Sequence, residues 1–182
     1  MQKSLIAILA VVVVLAGMGY AVIQNQTPAP EPTTEDSSQY SSADITFTYP
    51  DTYKLTERND SFEGNAVKVI TLIDKDVVIP DMSEGPPAIS ILIVSDSSST
   101  TLEQWVKTKS ISNFQLSQSQ KLYPVTVGGE EALNYTHSGL YESEAYAVKH
   151  EGKIYLLSVG SIDQSEQITA DFQKILKTVQ LK

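Results

Sequence analysis

The feature that most constrains this fold is the run Ile89-Ser90-Ile91-Leu92-Ile93-Val94, which is apolar at almost every position. A strand with one face in water alternates apolar and polar residues, whereas a strand covered on both faces does not need to. The run is short, rich in β-branched residues, and bounded by Gly85-Pro86-Pro87 before it and a serine-rich segment after it. It therefore predicts a central strand of a sheet with layers on both sides.

Charge and composition exclude several classes of function. The net charge is -9 at pH 7, whereas a nucleic-acid-binding protein needs a basic surface. The same acidic balance argues against docking of the globular part onto an anionic lipid surface. The chain has no cysteine, which excludes disulfides, a thiol nucleophile, thiolate metal sites and a lipidated cysteine.

An uncharged apolar stretch near the N-terminus predicts a membrane segment. Leu5–Ile23 spans nineteen residues, which at about 1.5 Å per residue is just long enough to cross a bilayer. Lys3 precedes it and acidic residues follow it, so the N-terminus is expected in the cytoplasm and the rest outside. Gly19-Tyr20-Ala21 also fits a signal-peptide cleavage site, which makes secretion the alternative. We favour a retained single-pass anchor over residues 1–24, because the apolar run continues past that site.

The remaining chain divides by composition into a spacer and a domain. Residues 25–42 are Pro, Ser, Thr and acidic residues with a single aromatic, and they predict a disordered linker. Residues 43–182 form the predicted globular domain. Its strands are expected at Ile45–Tyr49, at Ala66–Ile73 beside the central strand, and in a later meander. One helix is expected after a Thr100–Glu103 capping box and another from near Asp163, with a short edge strand at Thr178–Lys182.

Tyrosines in the meander provide one candidate binding surface. Nine Tyr against four Phe is a bias towards aromatics that favour half-wet interfaces. Pairing Val125 with Leu133, Leu133 with Val148, and His150 with Lys153 predicts that four tyrosines share one sheet face. These are Tyr123, Tyr135, Tyr146 and Tyr155, a candidate ligand or partner surface. The alternative is that this face lies under a helix, with the hydroxyl groups reaching its rim.

Ionisable residues give two further candidate sites. Asp74, Asp76, Asp81 and Glu84 lie in an acidic loop that could hold Ca²⁺, but their spacing lacks an EF-hand pattern, which favours a solvated loop. His137 and His150 are predicted at opposite ends of a strand pair, roughly 20 Å apart, too far to share a metal. Their expected cross-strand partners are Glu144 and Glu131 respectively. There is no Gly-x-Ser-x-Gly motif and no Gly-rich phosphate loop, so no catalytic residue and no cofactor is predicted.

Several segments resemble the PsbP-like family, which is named for an extrinsic subunit of photosystem II. The resemblance covers most of 43–182 and rests on loose motifs. They are Ile45-Thr46-Phe47-Thr48-Tyr49-Pro50, Thr101-Leu102-Glu103-Gln104-Trp105, Val125-Thr126-Val127-Gly128-Gly129-Glu130-Glu131-Ala132, the hairpin Val148 to Leu157, and Phe172 to Leu181. The resemblance implies an α+β fold, an α/β/α sandwich with a central, mostly antiparallel sheet. It also implies a non-enzymatic binding or assembly factor, although the anchor and spacer look bacterial and nothing points to a thylakoid.

These observations predict a non-catalytic, extracytoplasmic module that is tethered to the cell membrane through Leu5–Ile23 and binds a protein partner in the envelope. The alternative is a small-ligand or metal-binding module that takes Ca²⁺, Mn²⁺, Zn²⁺ or a glycan at the tyrosine face or the acidic loop. An unrecognised enzyme is the third hypothesis.

Overall fold

Two antiparallel sheets and two short helices make up the part of the domain that the structure describes. The structure is a computed structural model that describes residues 36–78, 85–96, 98–163 and 166–182. A seven-stranded sheet has the order β3-β4-β5-β9-β8-β7-β6, and a three-stranded sheet has the order β1-β2-β10. The elements are β1 Ser37–Ser41, β2 Ile45–Pro50, β3 Tyr53–Phe62, β4 Asn65–Asp74, β5 Ile89–Ser95, α1 Leu102–Thr108, β6 Tyr123–Val127, β7 Glu130–Ser138, β8 Glu142–His150, β9 Lys153–Ser161, α2 Gln167–Leu176 and β10 Gln180–Leu181. Two 3-10 turns, Ser110–Ser112 and Phe114–Leu116, follow α1.

The apolar run at Ile89 is the central strand that the sequence predicts. It forms β5, which pairs with β4 on one side and β9 on the other. Ile89, Ile91 and Ile93 belong to one apolar core, while Val94 and Leu92 belong to a second core on the opposite face. Both faces of β5 are therefore covered, which is why the run does not alternate.

The first core lies between the large sheet and a layer made of α2 and the small sheet, on what we call the α2 face. Phe172 and Ile175 of α2 and Phe47 of β2 are fully buried there. The C-terminal segment predicts an edge strand, and this is confirmed because Gln180–Leu181 pairs with Thr46 and Ile45. Burying apolar area in this way stabilises the fold at about 25 cal/mol per Å².

The second core lies on the other side of the sheet, the α1 face. Trp105 and Val106 of α1 and Phe114 of the second 3-10 turn pack on Ala145 and Ala147. The helix begins one residue later than the predicted capping box requires, because Thr101 rather than Thr100 accepts a hydrogen bond, from the Gln104 N–H at 3.2 Å. The last helix likewise begins at Gln167, with Glu166 as its N-cap residue, rather than near Asp163.

The structure differs from the prediction at the end of the spacer. Residues 36–42 were expected to be disordered, but Ser37–Ser41 form β1, which pairs with β2 along its length. The Tyr40 ring stacks on Phe47 with centroids 5.1 Å apart, so one aromatic residue gives this polar segment an apolar contact. Residues 25–35 of the spacer and the anchor predicted at 1–24 lie outside the described residues.

Among the residues that the structure describes, no helix has the length and apolar character needed to cross a bilayer.

Candidate functional site

The four candidate tyrosines do not share one face. The strand pairs Tyr123↔Asn134 and Asn134↔Tyr146 place Tyr123 and Tyr146 on the α2 face with Tyr155. Tyr135 pairs with Ala145 and lies on the α1 face. The prediction of a single tyrosine surface is therefore wrong, because two of its three strand pairings are off by one residue. A slip of one residue moves every side chain of a strand to the opposite face of the sheet.

Three of these tyrosines are engaged in structural contacts. The Tyr135 hydroxyl donates to the Ser112 carbonyl at 2.6 Å, and burial raises the pKa of this phenol. The Tyr146 hydroxyl donates to Glu144 at 2.8 Å, and the Tyr155 hydroxyl lies 3.2 Å from the Asp44 and Lys182 carbonyls. Only Tyr123, which is 51% exposed, presents its ring to solvent.

The acidic loop is described only in part. The Asp76 N–H donates to the Asp74 carboxylate at 2.9 Å, so Asp74 stabilises its own turn. Asp81 and Glu84 lie outside the described residues. Within the described ranges, no three His, Asp or Glu side chains lie close enough together to hold a metal ion.

The two histidines lie apart, as the sequence predicts, but both predicted partners are wrong. His150 Nδ1 is 3.0 Å from Glu130 Oε1 rather than paired with Glu131. His137 stands opposite Ser143, while Glu144 pairs with Thr136. The one-residue slip between β7 and β8 accounts for both differences.

A set of exposed apolar side chains lies along one end of the large sheet, and we call it the apolar end. Val77 and Val78 follow the last residue of β4, Leu140 lies between β7 and β8, and Ile162 follows β9. Leu116 joins them, because a Cβ built on Gly139 would meet its Cδ1 at 3.9 Å. Their exposures are 41% for Val77, 85% for Val78, 59% for Leu140, 72% for Ile162 and 50% for Leu116. From β4 to β7 this row spans about 19 Å, at about 4.8 Å per strand.

The chain enters the domain at the same end. The Asp51 N–H donates to the Asp36 carbonyl at 2.9 Å, and the Lys75 N–H donates to Thr52, next to Asp51. The rim of the apolar end is acidic, because its carboxylates outnumber Lys54, Lys75 and Lys121. The acidic residues are Asp36, Asp51, Asp74, Asp76, Glu142, Asp163 and Glu166.

The apolar end was not predicted from the sequence. Single apolar residues next to turn residues carried the signal, such as Leu140 between Gly139 and Tyr141 and Ile162 between Ser161 and Asp163. A periodicity analysis reads such residues as loop, because they belong to no repeating pattern.

The architecture identifies the class of protein: this chain has a PsbP-like fold. It superimposes on the solution structure of cyanobacterial PsbP (CyanoP) from Synechocystis sp. PCC 6803 with a TM-score of 0.54, covering 86% of this chain and 99% of that chain. The two sequences are 12% identical, so the likeness shows the fold alone. No family model matches the sequence. No curated protein matches it either.

Proposed function

We propose that this protein is a non-catalytic binding or assembly module that the Leu5–Ile23 segment holds at the outer side of the cell membrane. The apolar end of its domain binds a protein partner beside the bilayer. Under this proposal the PsbP-like domain is an α/β/α sandwich preceded by one transmembrane helix. The observation that carries the proposal is the row of exposed apolar side chains at the end where the chain enters the domain.

The length of the segment before the domain supports a partner close to the membrane. Twelve residues, 24–35, separate Ile23 from Asp36. Fully extended at about 3.5 Å per residue, they reach about 40 Å. This reach is an upper limit on the distance of Asp36, which lies at the same end of the sheet as the apolar end, from the proposed membrane segment.

The charges around the apolar end indicate the chemistry of the partner. Carboxylates surround the apolar row, and anionic lipid headgroups repel such a rim. A protein surface with an apolar centre and basic residues around it complements both features. The expected partner is therefore the extracytoplasmic part of an integral membrane protein rather than the lipid itself.

Several described ionisable groups with shifted pKa values support a non-catalytic role, because structural contacts account for their shifts. Hydrogen bonds from Lys153 and Lys68 lower the pKa of Asp44, which joins the two sheets. Burial raises the pKa of Tyr53, whose hydroxyl donates to the buried Asp171 at 3.2 Å. Shifted groups in an active site would instead converge on a shared cleft.

A matched set of variants tests the partner surface. Full-length protein is isolated from native membranes as wild type, as the double variant Leu140→Glu/Ile162→Glu, and as Asn59→Glu. Asn59 is exposed on the edge strand β3, away from the apolar end, so it controls for added negative charge. We expect one integral membrane protein to co-purify with wild type and Asn59→Glu, and its recovery to fall about tenfold or more in the double variant, as for loss of a central apolar contact.

Recovery of the same protein by all three forms, or of none by wild type, would overturn the proposed surface. A carbonate wash of the membranes tests the tether separately. Retention of the protein in the pellet supports an anchor, whereas release supports cleavage at Gly19-Tyr20-Ala21 and secretion.

A further inference from the structure

A cavity of about 280 Å³ opens on the α1 face, apart from the apolar row. Strand pairing builds its floor: Ser143 stands between His137 on β7 and Gly160 on β9, and in the next row Ser90 pairs with Ser158. Partners in such a row are about 5 Å apart, so these small polar residues form one continuous patch. Ile111, from the first 3-10 turn, forms the opposite wall.

Three serine hydroxyls and one imidazole nitrogen among the residues that line this cavity lack partners within the described protein. Among the described residues, the hydroxyls of Ser90, Ser143 and Ser158 make no hydrogen bond to the chain. His137 Nδ1 is buried and has no partner. The three serines are half-buried and line the cavity, so their hydroxyls are available to a molecule that enters it.

The cavity suits an uncharged ligand. Its described lining contains no Asp, Glu, Lys or Arg side chain. Desolvation lowers the pKa of His137 from its ordinary value of 6.5, so the imidazole is neutral at pH 7 and offers one donor and one acceptor. A charged ligand would lose its hydration here without gaining an opposite charge.

The cavity continues across the sheet into a second one of about 280 Å³. The two share Ser90, Leu92 and Ile111, and the second extends over β4 and β3 along Thr71 and Val69. Together they form a groove with hydroxyl groups along part of its floor and aliphatic side chains along the rest. Arg58 and Asp60, whose opposite charges lie 3.9 Å apart, stand at its β3 edge.

We propose that this groove binds a short neutral carbohydrate, with one sugar ring in each cavity. Sugar hydroxyls both donate and accept, which matches the serines and the neutral His137, while the C–H face of a ring matches Leu92 and Ile111. An acyl chain would leave the hydroxyls unpaired. An extended peptide pairs through a free strand edge, which the centre of a sheet face does not offer.

Gly160 gives the proposal a precise probe. A Cβ built there would lie 3.4 Å from Tyr141 Cβ and 3.7 Å from Ser143 Oγ, which is ordinary contact. Gly160→Ala therefore adds a methyl group inside the cavity without displacing the protein. Gly139→Ala is the matched control, since its Cβ meets only Leu116, at 3.9 Å, and Gly139 does not line the cavity.

The experiment is an NMR titration of the full-length protein in a phosphocholine detergent, because sugar-headed detergents would compete. The probes are cellobiose, maltose and chitobiose, with a uronic-acid disaccharide as the charged comparator. The side-chain ¹⁵N signals of His137 report binding, and those of His150, the other histidine of the chain, serve as the internal control.

We expect at least one neutral disaccharide to shift His137 saturably while His150 stays unchanged, and the charged comparator to bind at least about tenfold more weakly, a difference of about 1.4 kcal/mol. Gly160→Ala should weaken binding by a similar factor, and Gly139→Ala should leave it unchanged. The proposal is overturned if no neutral disaccharide shifts His137, or if Gly160→Ala binds as wild type does. The double variant Leu140→Glu/Ile162→Glu should bind sugar as wild type does. Sugar binding in the groove and recovery of the protein partner at the apolar end can therefore fail independently.

Discussion

The two faces of the large sheet differ in how completely the protein satisfies its own polar groups. On the α2 face, the small sheet and α2 cover the strands, and most of the described polar groups there have partners within the chain, the buried Thr169 hydroxyl being an exception. On the α1 face, the described residues place one short helix and two 3-10 turns over part of the sheet and leave a polar groove beside them. The same strands therefore have a structural side and a side available for binding.

Asp44 and Tyr155 illustrate the closed side. The Asp44 carboxylate accepts from Lys68 at 2.6 Å and from Lys153 at 2.8 Å, while the Tyr155 hydroxyl lies 3.2 Å from the carbonyls of Asp44 and Lys182. These contacts join the loop before β2 and the chain end to β4 and β9. Polar groups that are buried and paired in this way fix one arrangement of the layers.

Neighbouring residues of β5 show the contrast within a single strand. Ile91 is fully buried on the α2 face, whereas Ser90 lines the groove on the α1 face. Near the groove, alternate positions of β5 therefore carry different kinds of constraint: packing at Ile91, and in our proposal ligand contact at Ser90.

The largest effect is expected for Ile91→Ala. Removing this fully buried side chain leaves a cavity in the α2-face core, and such changes cost about 2–5 kcal/mol; we expect about 3–4 kcal/mol of unfolding free energy. Urea unfolding of the full-length protein measures it. Leu92→Ala on the groove side is the matched control, and we expect about 1–2 kcal/mol because Leu92 is only half-buried. Equal losses would contradict the difference between the faces.

A smaller effect is expected for Asp44→Asn. The change leaves Lys68 and Lys153 without their shared carboxylate, and we expect a loss of about 1–2 kcal/mol at pH 7, less than for a fully buried pair. The exposed pair Glu103–Lys107 is the control, and Glu103→Gln should change stability by less than about 0.5 kcal/mol.

The pH dependence of Asp44→Asn has a definite sign. Hydrogen bonds from Lys153 and Lys68 hold the pKa of Asp44 below its ordinary value of 3.8. Its stabilising contribution is therefore present above the unfolded-state pKa and is lost as the pH falls through the folded-state pKa. Wild type and Asp44→Asn should differ at pH 7 and converge below about pH 4. A constant difference over this range would show that the ionised carboxylate is not the cause.

The sheet could be predicted from sequence because the continuous apolar run of β5 indicates a strand that is covered on both faces. Its neighbour β4 and the edge strand β10 followed from the same patterns. The register of the meander could not be predicted in the same way, because two registers that differ by one residue both place similar residues opposite each other. The Gly128-Gly129 turn decides it: both glycines have positive φ, and Val127 pairs with Glu130 across a two-residue loop.

The candidate sites were harder to predict, since they depend on which groups the tertiary structure leaves unpaired. Tyr135 was predicted to lie on a partner-binding surface, yet its side chain is buried and its hydroxyl donates to the Ser112 carbonyl. The informative residues were the polar exceptions in buried strands, Ser90 in β5 and Ser158 in β9. A single serine inside an apolar run does not indicate a site. Only the strand pairing, which places a second serine beside it, shows that the two form a polar patch.

The smallest effect is expected for Ser90→Ala. Its hydroxyl has no partner among the described residues, so its removal should change the unfolding free energy by less than about 0.5 kcal/mol. Ser112→Ala is the control: that hydroxyl is buried and donates to the Val106 and Lys109 carbonyls at 2.6 and 2.7 Å, and its loss should cost about 1–2 kcal/mol. If the two variants lose equal stability, the Ser90 hydroxyl serves the fold, and the α1 face is then as closed as the other. If Ser90→Ala keeps full stability, the half-buried Ser90 hydroxyl is not needed for folding and remains available to a ligand in the groove.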